Sequence, residues 1–255
     1  MKTRRLAATG IALVAALGLT LTGCKTEAGA PAASAGPSDA AAASAAPADP
    51  LAELTSAALK LNEDSVRVTL SSPAMNGGGV MDPRSMAMDM SLELAGAMSI
   101  HMLVIGADAF LKLSGLSGAP KKWLHLDATK LGADGQLSLM PDGDPGGARK
   151  MISAVAEVEK TGEHSFTGTV DYRKVKPNGK LQQLGDKAAA IPFTARTDDQ
   201  GRLIELALDM SDVQPAAGQL VTRYTDFGTP VTLSKPSAAD TQEAPEELIK
   251  AFGGQ

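Results

Sequence analysis

The chain has 255 residues, with 24 basic and 29 acidic side chains, a formal net charge of −5, one cysteine and 3% aromatic residues. An acidic chain in which no stretch alternates Lys or Arg with aromatics is a poor nucleic-acid binder. A single cysteine excludes an internal disulfide, and with three scattered histidines (His101, His125, His164) it does not offer the ligand spacing of a zinc site.

Lys2, Arg4 and Arg5 form a short basic region with no acid, and Leu6 to Leu21 is an apolar stretch too short for a comfortable membrane span. Leu21-Thr22-Gly23-Cys24 places a large aliphatic and two small residues directly before the thiol. This resembles the lipobox of bacterial lipoprotein signal peptides. The resemblance implies that Cys24 receives a diacylglyceryl group and that cleavage leaves it as the new N-terminus. An ordinary secretory signal or an N-terminal membrane anchor is the plainer alternative. Thr3-Arg4-Arg5 hints at twin-arginine export, but Ala7 and Ala8 are weakly hydrophobic, which favours the general route. Removing residues 1–23 takes away three of the 24 basic residues and no acids, leaving 21 against 29, a formal −8. No polybasic patch is available to hold anionic lipid heads. Anchoring to the extracytoplasmic face of the cell membrane is therefore expected to fall to the lipid at Cys24, where two or three acyl chains make a stable anchor.

Residues 24–50 are mostly Ala, Pro, Ser and Gly and contain no large apolar side chain. Such a segment cannot offset the entropy of ordering its backbone, and it reads as a tether. The remainder, 51–255, suits one domain.

Within it, Leu51, Leu54, Ala58 and Leu61 stand at helical spacing. Ser65 to Leu70 then alternates, with Val66, Val68 and Leu70 on one face. In "MAMDMSLEL" Met86, Met88, Met90, Leu92 and Leu94 share a face, and "MSIHMLVI" repeats the pattern with Met98, Ile100, Met102 and Val104. "AFLKL" and "KWLHLD" are further strands. Residues 145–160 return to helical spacing through Met151, Ile152, Val155 and Val158, with Pro145 near the start and Gly162 beyond the end. "HSFTGTVDYRKV" predicts a strand with Phe166, Gly168, Val170 and Tyr172 on one side, and a short helix is expected over Gly179 to Ala189. "IPFTART" and "RLIELALDM" flank the turn Asp198 to Gly201 as a hairpin, with Ile204, Leu206, Leu208 and Met210 inward. "LVTRYTDFG" and "PVTL" end the sheet, and Glu243 to Phe252 is a final helix. Antiparallel strands with one apolar face and two or three helices describe an α+β domain, a strongly curved sheet wrapped over its helices.

Short likenesses to catalytic motifs lack their companions. Asp226-Phe227-Gly228 spells the kinase metal-binding triplet without a phosphate loop, strand lysine or catalytic loop. It reads as a strand end turning at Gly228. Gly115 to Ala119 narrowly misses a nucleophile elbow, and Pro120 interrupts the helix that should follow. Asp142-Gly143-Asp144 lacks the spaced oxygens and closing Glu of a calcium loop. Gly77-Gly78-Gly79 precedes no helix that would bind phosphate and reads as a flexible segment. His101 and His125 fall on the faces opposite Met102 and Leu124, which suits solvated or hydrogen-bonded roles. No enzyme activity, metal or cofactor is expected.

Met75, Met81, Met86, Met88, Met90, Met98 and Met102 crowd one region. Methionine is flexible and polarizable, and it fills irregular cores or adapts to varied apolar partners. With one Trp, two Tyr and five Phe to fill the space under a large sheet, an apolar cavity is one expectation and a solid Met-rich core is the other. The candidates for the apolar interior are Met86, Met88, Met90, Met98, Ile100, Met102, Ile204, Leu206 and Leu208.

The order of elements, together with "LMPDGDPGGARKM", "HSFTGTVDY", "FLKLSGLSGAPKKWLHLD" and "YTDFGTPV", resembles the LppX/LprG-type lipoproteins of the LolA-like superfamily. The resemblance implies a half-barrel sheet around a helix and an apolar cavity for the acyl chains of a lipid or lipoglycan, which is held or ferried without covalent chemistry. The rival expectation is a solid-cored envelope lipoprotein acting through an unidentified protein partner. A hydrolase using Ser117 is a third, less favoured alternative.

Overall fold

The computed structural model of the chain describes residues 49–94, 98–128, 147–175 and 185–251. Cys24, the signal and the rest of the tether lie outside these residues, as do Pro145, Asp142 to Asp144 and Phe252. The first helix, α1 (Pro50–Leu59), starts where the sequence provides both devices of a helix N-terminus. The Asp49 carboxylate accepts the Leu51 amide at 3.1 Å, and Pro50 occupies the first turn, where its missing N–H costs nothing. Leu54, Ala57, Ala58 and, in the tight turn that follows, Leu61 are buried. Leu51 is exposed instead, because the packed arc of α1 is centred on Leu54 and Leu61 and leaves the first turn at its edge.

Among the described residues twelve strands form one curved, unclosed sheet. In chain order these are β1 (Val66–Ser71), β2 (Met75–Asp82), β3 (Ala87–Leu94), β4 (Met98–Ile105), β5 (Asp108–Ser114) and β6 (Trp123–Asp127). There follow β7 (Val155–Gly162), β8 (Ser165–Val170), β9 (Ile191–Thr197), β10 (Leu203–Asp209), β11 (Gln219–Thr225) and β12 (Thr241–Glu243). Their order across the sheet is β12-β6-β5-β4-β3-β2-β1-β11-β10-β9-β8-β7, antiparallel except for the parallel pair β12–β6. The remaining helices, α2 (Ala148–Ser153), α3 (Tyr172–Val175) and α4 (Glu246–Ala251), are short.

Six expectations need correcting. The helix expected over 145–160 stops at Ser153, and the chain continues as β7. A bulge between Val155 and Glu157 brings Val155 and Val158 to one face in spite of their odd spacing, so a kinked strand mimicked a helical period. A second bulge, between Leu203 and Glu205, turns Leu203 into the core in place of Ile204, while Leu206 and Leu208 keep their inward positions. Met86 belongs to the turn between β2 and β3. Its φ of 49° is left-handed and its side chain is 56% exposed, so the inward alternation begins at Met88. Gly77, Gly78 and Gly79 are not a flexible link but the middle of β2. Tyr172 and Val175 leave β8 for α3, and "PVTL" is not a strand; β12 supplies the last pairing instead. Of the helix expected over Gly179 to Ala189, residues 185–188 form a 3-10 turn, and 179–184 lie outside the described residues.

One apolar cluster gathers the inward side chains of the sheet from Leu124 on β6 to Phe166 and Val170 on β8, together with Leu54 and Leu61 from the N-terminal helical segment and Ile152 of α2. Lys160 of β7 pins α1 at its rim by pairing with Glu53 at 2.8 Å.

Candidate functional site

The inner face of β1–β6 is ordered in rows because facing residues of antiparallel strands share a side of the sheet. The first row runs Val66, Met81, Met88, Val104, Ala109, Leu126. The second runs Val68, Gly79, Met90, Met102, Leu111, Leu124, and the third Leu70, Gly77, Leu92, Ile100, Leu113. Met75, Leu94 and Met98 form the last. Methionines of neighbouring strands therefore meet in pairs, Met81 with Met88 and Met90 with Met102.

Burial is deepest in the second row and falls beyond it, while the first row is buried except for half-buried Val104. In the second row every side chain with a β-carbon is at most 5% exposed. In the third and last rows all the residues are half-buried, so one end of the inner face keeps an apolar strip partly open. The candidates divide along this gradient. Met88, Met90, Met102, Leu206 and Leu208 lie in the packed cluster. Met98 and Ile100 lie in the open strip, and Met86 and Ile204 are outside both. Leu70, Leu92, Leu94 and Leu113 complete the strip. Period-two alternation places three of them on the inner face, Leu113 needs its pairing with Ile100, and no local signal separates them from their buried neighbours.

Two glycines on the inner face let the backbones of β2 and β3 approach closely. A β-carbon on Gly77 or Gly79 would overlap the carbonyl oxygen of Ser91 or Asp89 respectively. At these positions a side chain is excluded by the neighbouring backbone, not merely disfavoured.

Two clefts are lined by residues outside the open strip. One of about 200 Å³ is lined by Val66, Arg67, Val80, Asp226 and the Thr229 to Leu233 segment. Another of about 350 Å³ lies among Asp186, Lys187, Ile191, Pro192, Asp209, Asp212 and Val213. Neither is lined by a methionine. Among the described residues no group of three or more His, Cys, Asp or Glu side chains is placed to hold a metal ion, and no helix is long and apolar enough to cross a membrane.

On the outer face polar side chains are paired. His101 Nε2 lies 2.6 Å from Asp89 Oδ1, with the Trp123 ring edge-on to the imidazole at 4.8 Å. Asp226 follows β11 with a φ of 54° and accepts from Arg67 Nε at 2.8 Å, so the Asp-Phe-Gly triplet is a turn held by an ion pair. Ser117 is exposed in the loop between β5 and β6, where Gly118 has a φ of 82°. Facing the inner cluster, Tyr172 is half-buried, and burial pushes its phenol up.

Compared with solved structures, the chain is similar to the crystal structure of the Mycobacterium tuberculosis lipoprotein LppX. Identity is 15%, the match covers 72% of this chain and 97% of LppX, and the TM-score is 0.46. No family model matches the chain. Nor does any curated protein.

Proposed function

We propose that this chain is an extracytoplasmic lipoprotein, tethered to the cell membrane through acylated Cys24, that binds and ferries a lipid or lipoglycan without covalent chemistry. In this reading the curved sheet is a LolA-like half-barrel wrapped over α1 and α2. The observation that carries the reading is the burial gradient on the inner face. A half-buried strip of Leu70, Leu92, Ile100, Leu113 and Met98 runs directly into the methionine pairs of the core. An acyl chain laid on the strip removes apolar surface from water, worth about 0.8 kcal/mol per methylene buried. The unbranched methionines behind it can change rotamer to admit more of the chain at little cost. Little polar specificity is required, which suits a face without charges.

A second reading also has support. Met88, Met90 and Met102 are almost fully buried in the cluster that contains Leu54 and Leu61, as a solid-cored protein working through an envelope partner would have them. Native mass spectrometry of the mature protein from its own membranes, with analysis of the solvent extract, separates the two. A co-purifying lipid that is lost on delipidation and rebinds supports the carrier. A chain that leaves the membrane without lipid and takes up no acyl probe overturns it in favour of the second reading.

A further inference from the structure

His125 on β6 has a carboxylate on each ring nitrogen. Its Nε2 lies 2.7 Å from Asp108 Oδ1 on β5, and its Nδ1 lies 2.9 Å from Glu243 Oε1 on β12. An ionised carboxylate can only accept hydrogen bonds, and a neutral imidazole has one N–H to donate. Both contacts are satisfied together only by the protonated ring. The second oxygen of Asp108 takes the Lys235 ammonium from the segment between β11 and β12. Ionic contacts thus fasten this C-terminal stretch to the outer face of β5 and β6.

Among the described residues the other restraints on β12 are few: the Thr241 hydroxyl donates to the Ser237 carbonyl, and Ala244 just beyond the strand packs against the core cluster. The strand is three residues long, pairs in parallel through Thr241–Trp123, Gln242–Leu124 and Glu243–His125, and gains one more bond from the Ala244 amide to the His125 carbonyl at 2.9 Å. Gln242 and Glu243 are exposed and Thr241 half-buried, so apolar burial contributes little. We propose that His125 is a proton-operated latch that holds β12 on the edge of β6 and releases it when the ring loses its proton.

The charged groups facing the ring come from three directions. Glu243 approaches from β12, Asp108 from β5 with Lys235 behind it, and Asp127 lies two residues along β6, opposite Asp108. The Phe110 ring, 5.2 Å away, supplies an apolar side. The Glu243 carboxylate first, then that of Asp108, raise the His125 pKa above its ordinary 6.5, with partial burial opposing them. Lys235 first, then His125, hold the Asp108 carboxyl below its usual range. A raised folded-state value means that the latch is fully engaged below pH 6.5 and is lost as the pH climbs through the raised value. The ring is the group on which both contacts depend. Release bares the outer N–H and C=O groups of β6, an edge to which another strand can pair.

Amide hydrogen exchange of the folded chain, expressed as protection factors between pH 5.5 and 8.5, tests the latch. Protection over residues 241–244 is expected to fall by about two- to five-fold as His125 deprotonates, the scale of exposed ion pairs, while amides of β3 and β4 keep theirs. Glu243→Gln removes one carboxylate at a side chain 83% exposed and should flatten this step without disturbing the fold. His125→Gln should show the released level at every pH. Equal protection of 241–244 at both pH extremes, or a step that survives Glu243→Gln, overturns the latch. Should His125→Gln fail to fold, Glu243→Gln and the ring's own titration by NMR decide the matter.

Discussion

Gly79 stands directly opposite Met90 across the β2–β3 pair, and a β-carbon on Gly79 would overlap the carbonyl oxygen of Asp89 beside it. The methionine wall and the glycine run are therefore parts of one construction. Where β3 brings Met90 and Leu92 inward, β2 faces them with Gly79 and Gly77 and offers no side chain.

That relationship makes Gly79→Ala a severe change for its size. The clash is with backbone, so the strands must separate, and overpacking of this kind costs about 1–3 kcal/mol. Urea denaturation should show a lower midpoint with an unchanged slope. A midpoint equal to wild type would mean that the strands part freely.

Met102 and Ile100 are two residues apart on the inner face but at different depths. Met102 is 2% exposed, so Met102→Ala should lower stability by about 2–5 kcal/mol through a cavity. Ile100 is half-buried, and Ile100→Asn should leave the protein folded while weakening acyl-probe binding about tenfold, or ~1.4 kcal/mol. Thermal unfolding and fluorescent-lipid titration read the two effects separately.

Acid should expose the contribution of Asp171. It accepts from Arg173 Nε at 2.8 Å and Nη2 at 3.0 Å, and this guanidinium, helped by the Arg173 backbone amide, holds its carboxyl below the usual 3.8. A depressed folded-state value contributes stability above pH 3.8 that is lost as pH falls through the lowered value. Asp171→Asn should melt below wild type at pH 7, and the two melting curves should converge as the carboxyl protonates. A gap that stays constant down to the acid end would assign the effect to something other than this ion pair.

Cys24→Ser removes the thioether-forming atom and keeps the size of the residue. If the sequence LTGC is a lipobox, the variant should incorporate no labelled fatty acid, and the mature-length chain should disappear from the membrane fraction. Unchanged membrane partitioning and labelling would overturn acylation at this position.

Strand alternation was readable from the chain because successive side chains on extended backbone must point to opposite faces. Val66, Val68 and Leu70, or Met88, Met90 and Leu92, carry that signal within a few residues. The same local logic located α1 through the helical spacing of Leu54, Ala58 and Leu61. It failed where a partner strand decides the outcome. The bulges at Val155–Glu157 and Leu203–Glu205 arise from pairing with β8 and β9, and each shifts which apolar residue faces inward.

What the sequence by itself determined is chemistry and local geometry: an acidic, aromatic-poor chain, a lone cysteine behind an apolar leader, and β-strands with one apolar face. Only the tertiary structure decided depth. Met102 and Ile100 look alike in the alternation, yet one is sealed and the other lies in an open strip. His125, an ordinary strand histidine in the sequence, gained two carboxylates from residues 17 and 118 positions away. Burial and ion pairing depend on which distant segments arrive at a site, and the backbone preferences of neighbouring residues carry no record of that.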